Sequence, residues 1–471
     1  MGKLGEILAH PCELISMIHL KAFRKNVPID LSKESKETKL CYDLLKKTSR
    51  SFALVVIELH PELRDAVMLF YLILRALDTV EDDMTIEPKI KIPLLKSFSE
   101  KLELTDWTFD GNSIKEKDRI VLINFDSILK VFHSNIKRKY QDVIKRITYK
   151  MGNGMARYIL DEEFNLNGVK TVKDYDLYCH YVAGLVGEGL TNLFVLAKFS
   201  NPLLNDKMDL AESMGLFLQK TNIIRDLEED LRDGRSFYPK EIWSKYCDKL
   251  PDLLLEKNVD KLLNCTSDLI LNALGHVIDV LDFLSLINEQ NCFNFCAIPQ
   301  VMAIATLDLL YQNKELQKKT VKIRRGTTCY LILKSRTLKG VTEIFSGYIK
   351  SIHHKSKPDD PNYLKIGILC GKIEQFIESM YPFKNLPKEL SEINYKPTET
   401  AIFRQVQDRD PLDVKMFKII EQEEASLKLS LLGVGFSFLI IGYLIFGDID
   451  VCNTFSSTVS STVSKIIHQE L

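Results

Sequence analysis

The chain has 471 residues, enough for two or three average domains or for one large helical one. An apolar content of 45% supports a sizeable core, and a formal net charge of -1 excludes a general nucleic-acid binder, which needs an excess of Lys and Arg to neutralise phosphates. Any anionic ligand must therefore be held by local charge. Ten scattered cysteines, with only Cys292 and Cys296 close together, make neither a CxxC pair nor a zinc site and point to reduced thiols.

The N-terminal stretch MGKLGEILAHPCELISMIHL is interrupted by Glu6, His10, Pro11 and Glu13, so it lacks the apolar core of a secretory signal; Glu6 also breaks the Ser/Thr position of a myristoylation motif. From about residue 38 to about 350, apolar residues recur at three- and four-residue intervals, as in LRDAVMLFYLILRALDTV and AESMGLFLQKTNIIRDLEEDL. That spacing predicts an all-α body of about ten helices. Breaks fall at TIEPKIKIP, TDWTFDGNS, NLNGVKT, FSNPLLND and RDGRSFYP, where Gly, Pro, Asn and Asp cluster. No alternating run argues for a strand, and no solenoid period is present.

Two acidic turns interrupt this apolar body. LRALDTVEDDMT (74–85) places Asp78 and Asp82 four residues apart, with Glu81 and Asp83 in the same turn, and NIIRDLEEDLRDGR (222–235) repeats the spacing with Asp226 and Asp230. Residues four apart share a helix face, and like charges there repel by roughly 0.2–0.5 kcal/mol per pair. One such pair is ordinarily a solvated face. Two pairs, both embedded in apolar helices and both with arginines nearby (Arg75; Arg225 and Arg235), predict opposing walls around a cation. Mg²⁺ takes carboxylate oxygens and bridges to substrate phosphates, so the pattern suits a diphosphate that is neutralised as it leaves. The guanidinium forks suit phosphate oxygens too, although each arginine can equally be a structural ion-pair partner.

Further along, FNFCAIP (293–299) reads by composition as core, and VKIRRG (321–326) as a basic face or a local positive charge for an anion. No GxGxxG follows a strand, which excludes a Rossmann dinucleotide site. Residues 353–428, including HHKSKPDDPNY and YKPTETAIF, are polar with intermittent proline and predict a peripheral segment and linker. Leu429–Phe446, LSLLGVGFSFLIIGYLIF, has eighteen residues without a charge, close to the ~20 that span a bilayer core. Lys415, Lys418 and Lys428 precede it and Asp448 and Asp450 follow, which places the large N-terminal part on the cytosolic side. A buried core helix is the competing reading; uninterrupted apolarity and terminal position count against it. The tail 447–471 is Ser/Thr-rich and suggests no role.

Six motifs, SRSFALVV (49–56), RALDTVEDD (75–83), YCHYVAGLVGEGLTNLF (178–194), MGLFLQKTNIIRDLEED (214–230), FNFCAIPQVMAIATL (293–307) and VKIRRG (321–326), together resemble squalene synthases, the eukaryotic head-to-head prenyl transferases, in a fungal form. The resemblance covers most of 40–350 and extends to the C-terminal anchor. It implies a single isoprenoid-synthase helical domain (1–352) around a central cavity, then the 353–428 segment, a transmembrane helix at 429–446 in the endoplasmic reticulum membrane, and the 447–471 tail. The implied enzyme is monomeric. It joins two farnesyl diphosphates into presqualene diphosphate and reduces this with NADPH to squalene.

By matching motif, the resemblance implies Asp78, Asp82, Asp226 and Asp230 as Mg²⁺ ligands, Arg50, Arg75, Arg225 and Arg235 as diphosphate grips, and Tyr71, Gln219 and Asn222 as further substrate contacts. Phe52, Phe295 and Cys296 are implied as lining where a cyclopropylcarbinyl cation rearranges away from water. Aromatic faces stabilise cations by roughly 0.5–2 kcal/mol and are not nucleophiles. Lys322 and Arg324 are implied as NADPH contacts. Tyr178 is implied as the acid/base; a phenol of pKa about 10 is a poor base, so cations must favour its phenolate or the leaving diphosphate must take the proton. His180 reads as packed, and Glu188 stands where some relatives are apolar. Two alternatives are a phytoene- or dehydrosqualene-type synthase that omits reduction, and a silent helical scaffold that binds prenyl lipids. The anchor and VKIRRG argue against the first, and the repulsive carboxylate pairs with Tyr178 against the second.

Overall fold

The computed structural model describes residues 10–24, 31–49, 52–160, 168–381 and 400–446, with side chains up to 433 in the last stretch. In chain order, the helices that build the site and its supports are α1 (Pro11–Ile18), α2 (Phe52–Ile57), α3 (Pro61–Asp82), α4 (Arg138–Leu160), α5 (Val172–Cys179), α6 (Leu185–Ala197), α7 (Met208–Arg225), α8 (Leu227–Arg232), α9 (Val277–Ser285), α10 (Gln290–Leu310), α11 (Arg325–Lys334), α12 (Leu338–Lys355), α13 (Tyr363–Met380) and α14 (Ala401–Phe446). Among the described residues the sole extended pairing is an isolated bridge between Ser200 and Ile287. The expected helical class is what forms.

Helix α3 shows how the sequence sets a wall. Pro61 occupies its first turn, where a missing N–H costs nothing, and His60 Nδ1 accepts the Glu62 N–H at 3.2 Å. One face buries Leu63, Leu69, Leu72, Ile73, Leu77 and Val80 completely, each worth about 1.5–3 kcal/mol relative to exposure. The other face carries Tyr71, Arg75, Asp78 and Asp82 at helical spacing. The helix stops at Asp83, whose carboxylate accepts the N–H groups of Thr85 and Ser113, both at 2.8 Å. Asp83 is therefore a stitch for the following turn. Burial acts to raise its pKa, but these hydrogen bonds outweigh it and hold the carboxyl below its usual range.

Helices α6 and α7 pack backbone against backbone. A Cβ on Gly215 would lie 2.5 Å from the Ala183 carbonyl oxygen, and one on Gly187 would lie 2.3 Å from that of Ala211. Backbone atoms cannot swing aside as a side chain does. Gly215→Ala is therefore expected to lower stability by about 1–3 kcal/mol, read as a fall in the denaturation midpoint with helical content retained. An unchanged midpoint would show that the two helices can separate freely.

The stretch 353–428, expected as a polar linker, is largely helix packed on the body. Helix α13 buries Ile366, Cys370, Ile373 and Met380, and α14 runs unbroken from Ala401 to Phe446 while burying Ile402, Val406, Arg409, Asp413 and Glu423. Three of these α14 positions are charged, so their burial is invisible to a reading based on polarity. Residues 382–399 and the tail 447–471 lie outside the described residues, as do the side chains of 434–446 in the expected membrane span. Among the described residues the helix long and apolar enough to cross a membrane is α10, but 78% of its apolar window is buried in the body. It is a core helix.

Candidate active site

Helices α2, α3, α6, α7, α9 and α10 enclose a cavity of about 390 Å³. Its lining includes Phe52, Tyr71, Arg75, Asp78, Gln219, Asn222, Phe295 and Cys296, eight of the residues expected from sequence. The apolar end is aromatic: the Phe52 ring lies 5.2 Å from Phe295 and 6.4 Å from Tyr71, with Phe283 and Pro299 beside them. Burial pushes the Cys296 thiol up, so it stays a neutral, weakly nucleophilic group.

At the polar end the two acidic turns face each other, and an arginine bridges them. Arg235 Nη1 lies 3.3 Å from Asp82 on α3, and its Nη2 lies 3.2 Å from Asp230 on α8. Arg225 is spent on its neighbour, with Nε and Nη2 donating to the two oxygens of Asp226 at 2.8 and 2.6 Å. Arg75 is held more loosely, 3.8 Å from both Asp78 and Asp118. The side chain of Asp78 is one-third exposed, and it opens on the cavity. Although that edge is open, the surrounding helices strip away enough water to push its carboxyl up to about 7; Arg75 opposes this, while Asp82 and Asp118 add to it. Asp230 is pushed up to about 6 by burial, against Arg235 and with help from Asp226, Glu229 and Asp233.

Among the described residues, no group of three or more His, Cys, Asp or Glu side chains is drawn together into a ready metal centre. The donor chemistry nonetheless fits Mg²⁺. The ligands are hard oxygens, and burial raises the Asp78 and Asp230 carboxyls, a cost of ionisation that a bound cation would offset. Oxygens of a bound diphosphate would complete such a set.

Tyr178 stands at the same end on α5, its ring stacked on Phe237 at 5.0 Å and edge-on to Tyr158 at 5.4 Å. Of the two expected routes, a cation-favoured phenolate or a diphosphate that takes the proton, its surroundings favour the second. Burial comes first, then the carboxylates of Glu81 and Asp82, and together they raise its pKa well above 10, with Arg235 the opposing charge. Tyr178 is held as a phenol.

Lys91, Lys220 and Asp176 escaped the sequence reading, and Glu81 was noted there only as a member of the first acidic turn. Glu81 is pushed upward by burial and by Asp82 and Asp78, and the buried Lys91 donates from Nζ to the Glu81 carbonyl at 2.8 Å. Lys220, 2% exposed, pairs with Asp176 at 2.7 Å and so ties α7 to the helix that carries Tyr178. The spacing of Asp176 and Tyr178 on one helix was the available signal for that tie, but its partner lies on another element. Glu188 meets Lys150 at 2.8 Å and is not part of the cavity lining. His180 is packed as expected, with Nδ1 2.9 Å from Glu212. Arg50 lies outside the described residues.

Residues 45–327 match the family model described as squalene/phytoene synthase. The chain belongs to this family. Among its relatives, squalene synthase ERG9 of Candida albicans is 56% identical over 451 residues, covering 94% of this chain and 100% of its own. Squalene synthase ERG9 of Saccharomyces cerevisiae is 57% identical over 426 residues, covering 90% and 94%. Solved complexes of TcSQS with the ligands E5700 and BPH1237 each align with a TM-score of 0.70 at 40% identity, over 73% of this chain and 99% of theirs. The squalene/phytoene synthase helical fold is therefore shared, and the relatives named place the chain among fungal members.

In this squalene/phytoene synthase, residues 321–324 of the basic run are a non-helical link, and Arg325 and Gly326 open α11. Thr320 Oγ1 donates to Glu229 on α8 at 3.3 Å, which sets the run beside the second acidic turn. Lys322 is exposed. Arg324 is engaged by Glu13 of α1, to which its Nε and Nη2 donate at 2.9 and 2.5 Å.

Proposed function

We propose that the chain joins two farnesyl diphosphates head to head into presqualene diphosphate and reduces that intermediate with NADPH to squalene, as a monomer held at the endoplasmic reticulum membrane by residues 429–446. The carrying observation is that an aromatic cavity reaches Arg75 and Asp78 of the first acidic turn, whose Asp82 is joined through Arg235 to Asp230 of the second. Near-full-length relatives named squalene synthase favour this reading over a synthase that stops before reduction.

Asp78, Asp82, Asp226 and Asp230 would hold Mg²⁺, which supplies Lewis-acid neutralisation of the departing diphosphate. Arg75 and Arg235 grip its oxygens, and Gln219 and Asn222 position the adjoining chain. The allylic cation left behind faces Phe52, Tyr71 and Phe295, which stabilise it without capturing it. One proton is lost as the cyclopropane closes. A phenol surrounded by carboxylates is a poor acceptor, so Tyr178 relays that proton to the departing diphosphate, giving its own as it receives the substrate's.

Purified protein given farnesyl diphosphate and Mg²⁺ is expected to release squalene with NADPH and to accumulate presqualene diphosphate without it. Identical products under both conditions would transfer the chain to the non-reducing class, and no turnover would leave a prenyl-lipid scaffold.

A further inference from the structure

The geometry points to Glu13, on the N-terminal helix, as a positioning residue for the reductive step: it locks Arg324 into the scaffold and so holds the basic loop before α11, with Lys322 at its middle, beside the second acidic turn. This rests on the proposed reading of that loop as the place where NADPH phosphates are met.

The loop leaves the turn Lys314–Gln317, to which Lys318 and Lys319 still bond through the Glu315 carbonyl, and runs non-helical from Thr320 to Arg324. Two side-chain contacts pin it. Near its start, Thr320 donates to Glu229 on α8. At its end, Arg324 gives Glu13 a fork of hydrogen bonds, and Thr327 Oγ1 adds a third donor to the same carboxylate at 3.0 Å. Lys322 lies midway between the pins and is exposed.

The Glu13 contact is built in rather than casual. A Cβ on Gly326 would fall 2.3 Å from the Glu13 Cβ, so α1 approaches α11 at a distance that glycine permits. The Glu13 side chain is 19% exposed while Arg324 is 48% exposed, so the carboxylate is the enclosed partner. Burial acts to raise the Glu13 pKa, but the hydrogen bonds from Arg324 and Thr327 outweigh it and keep the group ionised. A bidentate charge-assisted pair of this kind fixes geometry as well as charge. An arginine so committed is a poor choice for a ligand phosphate, which leaves Lys322 as the cation that the fixed loop presents.

The full-length protein in detergent is compared with Glu13→Gln, Lys322→Ala and the exchanged pair Glu13→Arg/Arg324→Glu. Three readouts are followed: NADP⁺ binding by calorimetry, amide exchange over 318–324, and the ratio of presqualene diphosphate to squalene. Glu13→Gln is expected to weaken NADP⁺ binding roughly tenfold, to speed exchange in the loop and to raise the NADPH KM so that presqualene diphosphate accumulates. The exchanged pair is expected to restore both loop protection and NADP⁺ binding.

Unchanged or tighter NADP⁺ binding in Glu13→Gln overturns the inference. An exchanged pair that restores protection but not binding makes Arg324 a phosphate ligand and overturns it as well. If Lys322→Ala leaves NADP⁺ binding intact, the reading of the loop itself fails, whatever Glu13 does. Glu13→Asp, which keeps the charge and shortens the reach, answers the same question if the glutamine variant does not fold; wild-type binding and loop protection there would overturn the positioning role.

Discussion

Asp78→Asn is expected to abolish both half-reactions, with farnesyl diphosphate consumption falling roughly a thousandfold or more while the helical fold survives. Each diphosphate departure needs its charge neutralised, and several kcal/mol of that work falls to a metal held by carboxylates; every 1.36 kcal/mol is about tenfold in rate. Asparagine keeps the shape of Asp78 and removes the charge that Mg²⁺ needs. It also removes a charge the fold does not want, since Asp78 is raised to about 7 by burial and by neighbouring Asp82 and Asp118. Retained synthesis of presqualene diphosphate in this variant would rule out a metal site shared by both walls.

The same shifts set how stability varies with pH. Asp78 and Asp230 have folded-state values of about 7 and about 6, above their ordinary 3.8. A carboxyl raised on folding contributes stability that is fully present below its unfolded value and lost as pH rises through its folded value. Metal-free protein should therefore melt higher at pH 5.5 than at pH 8, by something on the order of 1–3 °C after solvent screening. The difference should shrink in Asp78→Asn, and Mg²⁺ with diphosphate at pH 8 should recover it.

What the sequence made legible, and what it did not, follows from the range of each interaction. Asp78 with Asp82, and Phe295 with Cys296, are read from spacing because a helix carries near neighbours onto a predictable face. Asp78, Phe295 and Cys296 line the cavity where those faces meet. The bridging role of Arg235 was not legible, because its partner Asp82 is 153 residues away and Asp230 already offered a nearer one. The surroundings of Tyr178 were hidden for a related reason. Glu81 and Asp82, almost a hundred residues earlier in the chain, are the charges that weigh most on it after burial. Glu13 and Arg324, 311 residues apart, could be joined only by the fold.

The C-terminal helix leads to the second large effect. Glu423→Gln is expected to destabilise the protein by about 3–5 kcal/mol, because it removes the counter-charge of a buried arginine while leaving that arginine in place. Glu423 Oε2 lies 2.6 Å from Arg336 Nη1 and 3.3 Å from His19 Nε2, and all three side chains are less than a tenth exposed. This trio fastens α14 to the N-terminal segment and to the turn that precedes α12. Higher on the same helix, Arg409 stacks 3.7 Å over Phe293 and donates to the Ile287 carbonyl, two residues of the corner that leads into the aromatic wall of the cavity. Polarity suggested that 353–428 is a peripheral linker. Leu427 is 5% exposed and Glu423 4%, so α14 stays packed on the body through Leu427, while Leu429 is 72% exposed. A chain ending at Lys428 should keep its urea midpoint and turnover, whereas one ending at residue 400 should lose both. The paired variant Glu423→Leu/Arg336→Met should recover most of the stability lost in Glu423→Gln, since two apolar side chains leave no orphaned charge. A loss below about 1 kcal/mol in Glu423→Gln would place the pair among weak surface contacts and leave Arg409 as the fastening of α14.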